Sequence, residues 1–527
     1  MPHTPLNKML RQAAAAAREA TARGEDGDRI VDEQWLRRTS RRDFVMGISL
    51  GSAAAAFSGS SVLAKKPSPP AARVVVVGAG LAGLTCAYRL KQAGINATVY
   101  EANSRVGGRC WTRRGDFEQG QIAEHGGELI DQGHTQMRHL AQELDLPLDN
   151  LLTAEPKGTE PFYYFGGAPY TYREAVDDLK GIWQKLHRDL VLADFPTLYN
   201  RFTPRAAQLD EMSIDDWINE NVPGGMNSPL GQLLVTAYTI EYGAESSVQS
   251  SLNLLYLLGY NSPGQFSVFG ASDEKYHVRG GNDRVATTLA GRLVSQIVSG
   301  AFLVKVRLNP AGTYTLTFQN GSSTFTAIAD KVVFALPFSI LREAVDLSSA
   351  GFSDLKMTAI DELPMGTSAK LHLQFSRRHW YALGNSGETF ADTGLQNTWE
   401  VTRGQAGSAG ILVDYTGGNI GNSFGVGTPA ARAQQFLAQI EPILPGLSTA
   451  WNGRATIDYW PANPFSRGSY PYYRVGQYLR FAGIEPVQER NAHFCGDHTS
   501  IEAQGYLEGA VETGQRAAAE VIADLRR

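Results

Sequence analysis

Four valines, Val74 to Val77, sit between Arg73 and a glycine. A short, wholly apolar, β-branched run of this kind predicts a strand buried on both faces. A helix is expected over residues 84–90, and a second strand over 97–100 that ends in Glu101. Residues 136–271 read as mostly helical, with one long helix over 172–194. After Ser368 the pattern turns to alternation, which predicts a strand over 369–375 with Lys370, His372 and Gln374 on one face. Other short strands are expected within 346–483, among them 410–415. Near the C-terminus, 491–495 reads as a strand and Gly496-Asp497 as its turn. Residues 507–525, alanine-rich and free of proline, read as a long helix.

The N-terminal pattern is of another kind. Ser40-Arg41-Arg42-Asp43-Phe44 precedes an apolar stretch, Val45 to Leu50 and Ala53 to Phe57, and then Ser61-Val62-Leu63-Ala64. Basic, apolar and small in that order is the layout of a secretory signal, here of the twin-arginine type. The apolar stretch is too short and too glycine-broken to cross about 30 Å of hydrocarbon. Residues 1–64 are therefore expected to be a leader, with an alanine-rich helix ahead of the signal and a proline-rich linker over 65–72. The implied partner is the twin-arginine translocase, and the implied location is the periplasm or beyond the cell. No later run reaches 18 apolar residues, so no stable membrane anchor is expected. That route carries proteins already folded around a cofactor, so the leader raises the question of which one.

Composition narrows the choice. A chain of 527 residues, 43% apolar and 19% charged, holds two or more ordinary globular domains. Its net charge is −5, and the leader carries a surplus of two positive charges, which leaves −7 beyond it. An acidic body speaks against a nucleic-acid partner. Three cysteines, Cys86, Cys110 and Cys495, make no disulfide framework, as suits folding in a reducing compartment. No metal site is read.

Gly78-Ala79-Gly80-Leu81-Ala82-Gly83 follows the valine strand directly. Strand, G-x-G-x-x-G, helix, strand and acid make a complete dinucleotide-binding unit. Gly78 allows the tight turn, Gly80 lets the backbone approach a pyrophosphate, and Gly83 lets helix and strand pack closely. The anion would rest on the helix N-terminus. Glu101 stands where an acid accepts bonds from ribose hydroxyls. Up to this point NAD and FAD are both open.

A second turn, Arg105-Val106-Gly107-Gly108-Arg109, favours FAD. With it the chain resembles the flavin-containing amine oxidases, the family of monoamine oxidases, polyamine oxidases and L-amino acid oxidases, as a bacterial member exported by the twin-arginine route. The resemblance continues through Glu124-His125-Gly126-Gly127, the 136–146 helix, His277 to Asn282 with the 284–293 helix, the 331–337 strand, Phe494 to Asp497 and Gly505 to Ala510. It implies an α/β, two-domain FAD-dependent amine oxidase fold. Residues 73–135, 272–345 and 484–527 would build a Rossmann-like FAD-binding domain. Residues 136–271 (helical) and 346–483 (sheet) would build an α+β substrate domain.

The resemblance also implies site residues. Non-covalent FAD would be held by Gly78, Gly80, Leu81, Ala82, Gly83, Glu101, Ala102, Arg105, Gly108, Gly126, Gly127, Glu128, Leu303, Val304, Trp460, Gly496, Tyr506 and Leu507. Arg109 would touch the pyrophosphate and Asp497 the ribityl or ribose region. The helix beginning near Gly505 would turn its positive end toward reduced flavin. Lys370 would hold a water against flavin N5. Tyr470 and Tyr506 would stand face to face before the flavin with the amine between them. Residue 469 is serine where mammalian monoamine oxidases carry the cysteine that tethers FAD, hence the non-covalent expectation.

The implied reaction is hydride transfer from an amine α C–H to flavin N5. The imine then hydrolyses to aldehyde or ketone and ammonia, and O2 is reduced to H2O2. Glu128, just after Gly126-Gly127, suits a second positive charge, so the expected substrate is an amine, including a diamine or a basic amino acid. An L-amino acid oxidase is the alternative, and a flavin desaturase or porphyrinogen-type oxidase a weaker one. Oligomeric state, a homodimer included, is left open, as is O2 or a quinone for the acceptor.

Overall fold

The computed structural model describes residues 72–261 and 266–526. The leader lies outside the described residues. Five short strands make a parallel sheet in the order Ala492–Phe494, Lys331–Phe334, Val74–Val77, Thr98–Glu101, Ile297–Ser299. Val74–Val77 lies in the middle and is buried along its whole length, as an apolar run without alternation requires. Its side chains divide between two cores. Val74 and Val76 face one built with the helices Leu81–Gln92, Thr135–Glu143, Asp283–Arg292 and Leu507–Arg526. Val75 and Val77 face another shared with a four-stranded sheet, order Ser323–Ala329, Tyr314–Asn320, Phe302–Leu308, Asp346–Ser349.

A seven-stranded sheet forms a further layer, in the order Trp451–Tyr459, Ala369–Phe375, Gly410–Thr416, Asn397–Glu400, Asn385–Ala391, Glu160–Phe165, Ala168–Tyr170. Against it lie the helices Tyr172–Ala193, Ile214–Asn221, Pro229–Tyr242 and Ser251–Leu258, around a core that includes Trp217 and Tyr238. Their starts are coded locally. Thr171 with Glu174, and Ser213 with Asp216, make reciprocal capping boxes, and Ser228 accepts the Gly231 N–H ahead of Pro229.

Three readings change. The 331–337 strand stops at Phe334, because Pro337 caps a new helix, Phe338–Ala344. The mostly helical segment 136–271 also lends Glu160–Phe165 and Ala168–Tyr170 to the large sheet. Asp346–Ser349, placed with the substrate sheet from its position in the chain, pairs in parallel with Phe302–Leu308 instead. The Ala369–Phe375 strand has the expected bounds, yet every residue in it is buried. Its alternation separates an apolar core from a buried polar interior, not core from water.

Candidate active site

One cavity of about 310 Å³ runs from the valine strand to the large sheet. At one end the glycines act as the motif requires. Gly78 has φ +104°, and a Cβ there would stand 2.7 Å from Ala335 O. A Cβ on Gly83 would stand 2.0 Å from Gly78 O, so this glycine serves packing and does not border the cavity. Gly80 differs from both. It caps the Leu81–Gln92 helix without a side chain, and a Cβ there would meet nothing within 4 Å. That leaves an open cradle over free helix N–H groups. Glu101 closes the turn by accepting the Ala79 N–H (2.6 Å) and the Asn103 N–H (2.7 Å).

The second turn lies across from the first. Gly108 (φ +58°) would bring a Cβ within 3.3 Å of Gly80 Cα. Arg105 donates to Gly108 O at 2.8 Å, with its guanidinium 4.1 Å from the Trp111 ring. Arg109 and Asp497, expected to serve different parts of the cofactor, are tied to each other. The guanidinium makes two bonds to the carboxylate (2.5 and 3.0 Å) and a third to Ser469 O (2.7 Å). Each thus fixes the other on the cavity wall. Gly126 and Gly127 form the opposite side, where a Cβ on Gly127 would strike Leu507 at 2.8 Å. Leu303 borders the cavity with Phe302, whereas Val304, the next residue along the strand, does not. Apart from Gly83 and Val304, every residue expected to bind the cofactor borders it.

At the far end stand Lys370, Tyr470 and Tyr506. Lys370 Nζ donates to Glu128 Oε2 (2.7 Å), Gly126 O (2.9 Å) and Glu124 O (3.3 Å), so its three N–H bonds all have protein acceptors. Glu128, expected to meet a second positive charge on the substrate, is already neutralised by Lys370. Its other oxygen accepts Trp399 Nε1–H at 2.9 Å. Burial alone would raise the Glu128 carboxyl. The Lys370 charge, with the bonds from Lys370 and Trp399, instead holds it below the ordinary range.

Tyr470 donates to Ile240 O at 3.2 Å and shares a short bond with the Tyr415 hydroxyl. Its ring passes close to Gly505, where a Cβ would be 3.6 Å away. Tyr506 donates to Glu241 Oε1 at 2.8 Å. Burial pushes both phenols well above their ordinary value, so both stay protonated. Glu241, Tyr415 and Trp399 escaped the sequence reading. Glu241 is the one acid in the otherwise apolar last turns of Pro229–Tyr242, which was its only signal. Burial pushes its carboxyl up to about 7, against the lowering bond from Tyr506.

The family model described as flavin containing amine oxidoreductase matches residues 81–522. The chain belongs to this family. Among its relatives, a putative L-amino-acid oxidase of Bacillus subtilis is 24% identical over 463 residues, 85% of this chain and 94% of that one. A putative flavin-containing monoamine oxidase of Mycobacterium tuberculosis is 27% identical over 466 residues, 85% and 96% of the two chains. Solved structures share the fold. Cyclohexylamine oxidase from Brevibacterium oxydans superposes with a TM-score of 0.75 at 20% identity, over 87% of this chain and all of that one. A putrescine oxidase variant gives 0.74 at 20% identity, over 86% and 99%.

This amine oxidoreductase is a flavoenzyme, and its residues fit the group. The open cradle at Gly80 would suit a pyrophosphate, Glu101 borders the cavity beside it, where a ribose would lie, and the Leu507–Arg526 helix begins at the cavity wall. Its donors are amines.

Proposed function

We propose that the protein is an FAD-dependent oxidase of amines, with FAD held non-covalently and O2 as acceptor. FAD supplies a two-electron acceptor that takes hydride from the amine α carbon and passes the electrons to O2 as H2O2. The carrying observation is a single cavity that joins the Gly80 cradle to a chamber walled by Tyr470, Tyr506 and buried Lys370. The two aromatic rings orient the amine. Glu241, one hydrogen bond from Tyr506 and ionising near neutrality, takes the proton that the ammonium sheds before it reacts. Lys370 keeps a fixed positive charge at the reacting end and holds Glu128 ionised. To hold a water as well, it has the long 3.3 Å bond to Glu124 O to give up.

An amine fits better than an α-amino acid. Among the described residues the large cavity offers three cations. Arg109 is tied to Asp497, Lys370 to Glu128, and Arg105 lies by the glycine turns. None is left to grip a carboxylate. Non-covalent attachment is supported by Ser469 on the wall and by Cys110, the one cysteine bordering the cavity, whose thiol burial pushes well above its ordinary value. Export through the twin-arginine route to the periplasm or beyond rests on Ser40 to Phe44 and the stretch that follows. A peroxide assay over a panel of amines and amino acids, with anaerobic flavin bleaching alongside, tests the reading. Bleaching by amino acids and by no amine would overturn it.

A further inference from the structure

Lys370, His372 and Gln374 alternate on one face of the Ala369–Phe375 strand, and all three are buried. The outer two are saturated. Lys370 has its three acceptors, and Gln374 bonds Glu118, Gln121 and Asn452 at 2.8–3.0 Å. His372 between them is 0% exposed, yet neither ring nitrogen has a hydrogen-bond partner among the described residues. Thr456 lies directly opposite His372 in the next strand, and Asp458 opposite Lys370, so both share that face. Each carries a buried oxygen without a partner, Oγ1 and Oδ2. Arg113 Nε is a fifth such atom, on a guanidinium that bonds the other Asp458 oxygen at 2.9 Å. His372 Nδ1 stands 3.8 Å from Asp458 Oδ2, too far for a direct bond. Buried polar atoms of this kind are satisfied by protein or by ordered water.

The donor set favours water. Burial pushes the His372 imidazole down to about 3, so it is neutral, with one N–H to give and one nitrogen to accept. Burial alone would raise the Asp458 carboxyl, but the bond from His125 and the Arg113 charge hold it below its usual range, so it only accepts. Arg113 Nε only donates, and the Thr456 hydroxyl does both. An anion would meet Asp458 and a cation would meet Arg113. Among the described residues no three side chains converge as metal ligands. Water, donor and acceptor at once, suits all five atoms.

We propose that His372, Thr456, Asp458 and Arg113 hold a file of internal waters that joins Lys370 to the surface and brings protons to the reacting end from behind the cavity. Lys370 takes the carbonyls of Glu124 and Gly126, on either side of His125, and the His125 ring bonds Asp458 at 2.5 Å. Lys370 and Asp458 thus grip one three-residue segment, and the inner end of the file is the water that Lys370 gains by releasing Glu124 O. At the outer end Arg113 bonds Asp116 at 2.9 Å, whose side chain is 41% exposed. The use of the file rests on the oxidase reading. Reducing O2 to H2O2 takes two electrons and two protons. Reduced flavin in its anionic form brings both electrons and one proton. The second proton enters from solvent along the waters, each giving one proton forward and taking one from behind, so no side chain changes its charge.

A crystal structure of the purified enzyme at about 1.5 Å tests the site itself. Waters should stand about 2.6–3.2 Å from both His372 nitrogens and from Asp458 Oδ2. A direct His372–Asp458 bond, or no water at these atoms, overturns the proposal. His372→Phe keeps a ring of similar size and removes both nitrogens. In a dry site that change is neutral or raises Tm. In a wet one it leaves the waters and Asp458 Oδ2 short of partners, and Tm should fall by about 1–3 °C. The same variant tests delivery by stopped-flow flavin absorbance. Anaerobic reduction by an amine should stay within about threefold of the parent, while reoxidation by O2 should slow about tenfold or more. His372→Gln, which keeps a donor and an acceptor, should recover most of that rate. Unchanged reoxidation in His372→Phe, or equal slowing in both half-reactions, overturns the proton file. If phenylalanine prevents folding, Thr456→Val takes its place with the same expectations. If no amine reduces the flavin of the parent, the oxidase reading falls, and the crystal waters and the Tm shift still judge the site.

Discussion

Replacing Lys370 with methionine removes a cation that is 5% exposed and leaves Glu128 behind it, 7% exposed, with only Trp399 as a partner. Breaking a buried pair from one side costs about 3–5 kcal/mol, because the surviving charge stays desolvated. The folded unit spans residues 71–527. At about 2.1 cal/mol/K per residue that is roughly 1 kcal/mol per degree, so Tm should fall by about 3–5 °C. The loss should depend on pH. In the parent, Glu128 titrates below its ordinary value, so its contribution is present above about pH 4.3 and is lost as pH falls through the depressed folded value. Without Lys370 burial dominates and lifts the carboxyl above that value, which costs stability as pH rises. Calorimetry should therefore show a larger deficit at about pH 8 than at about pH 5. Adding Glu128→Gln should restore most of it. Catalysis should not recover. Loss of an electrostatic stabiliser at the reacting centre costs about 10²–10³-fold, and stopped-flow flavin absorbance reads both half-reactions. Equal Tm deficits at the two pH values, with no rescue in the double variant, would refute the ion-pair account. Both half-reactions within about threefold of the parent would refute the catalytic role.

Three further outcomes are expected. Gly80→Ala should leave the apoprotein within about 1 kcal/mol of the parent, since its Cβ meets nothing, yet weaken FAD binding by about tenfold or more in a fluorescence titration. Equal affinity would mean that the cradle is not where the pyrophosphate sits. Acid precipitation should release the flavin into the supernatant, and flavin left in a washed pellet would disprove non-covalent binding. Arg41→Lys with Arg42→Lys should leave active, flavin-loaded enzyme in the cytoplasm, and unchanged export would exclude the twin-arginine route.

The dinucleotide unit was legible because all its parts are local: four valines, six residues of turn, a helix and an acid within 28 residues (74–101). The lysine strand was legible because alternation marks its ends. What lay hidden is joined across distance. Lys370 meets Glu128 over 242 positions and Tyr506 meets Glu241 over 265, and no periodicity carries such information. The sequence saw Glu128 as a free acid because its partner cannot be seen from its own segment. The Glu160–Phe165 strand was missed because a short strand inside a long helical segment has only its neighbours in space to reveal it.

The Leu507–Arg526 helix packs on Leu81–Gln92, and Ala492–Phe494 forms the edge strand of the parallel sheet. During synthesis the glycine turn near residue 80 therefore emerges hundreds of residues before the wall it needs. A nascent chain can display the motif and still have no place to keep a nucleotide. Loading must wait until residues 492–526 have emerged, and a chain cut before Ala492 would keep every glycine of the motif and lack Gly496, Asp497, Tyr506 and Leu507 from the cavity wall. Possession of the cofactor thus certifies that this late strand and helix were made.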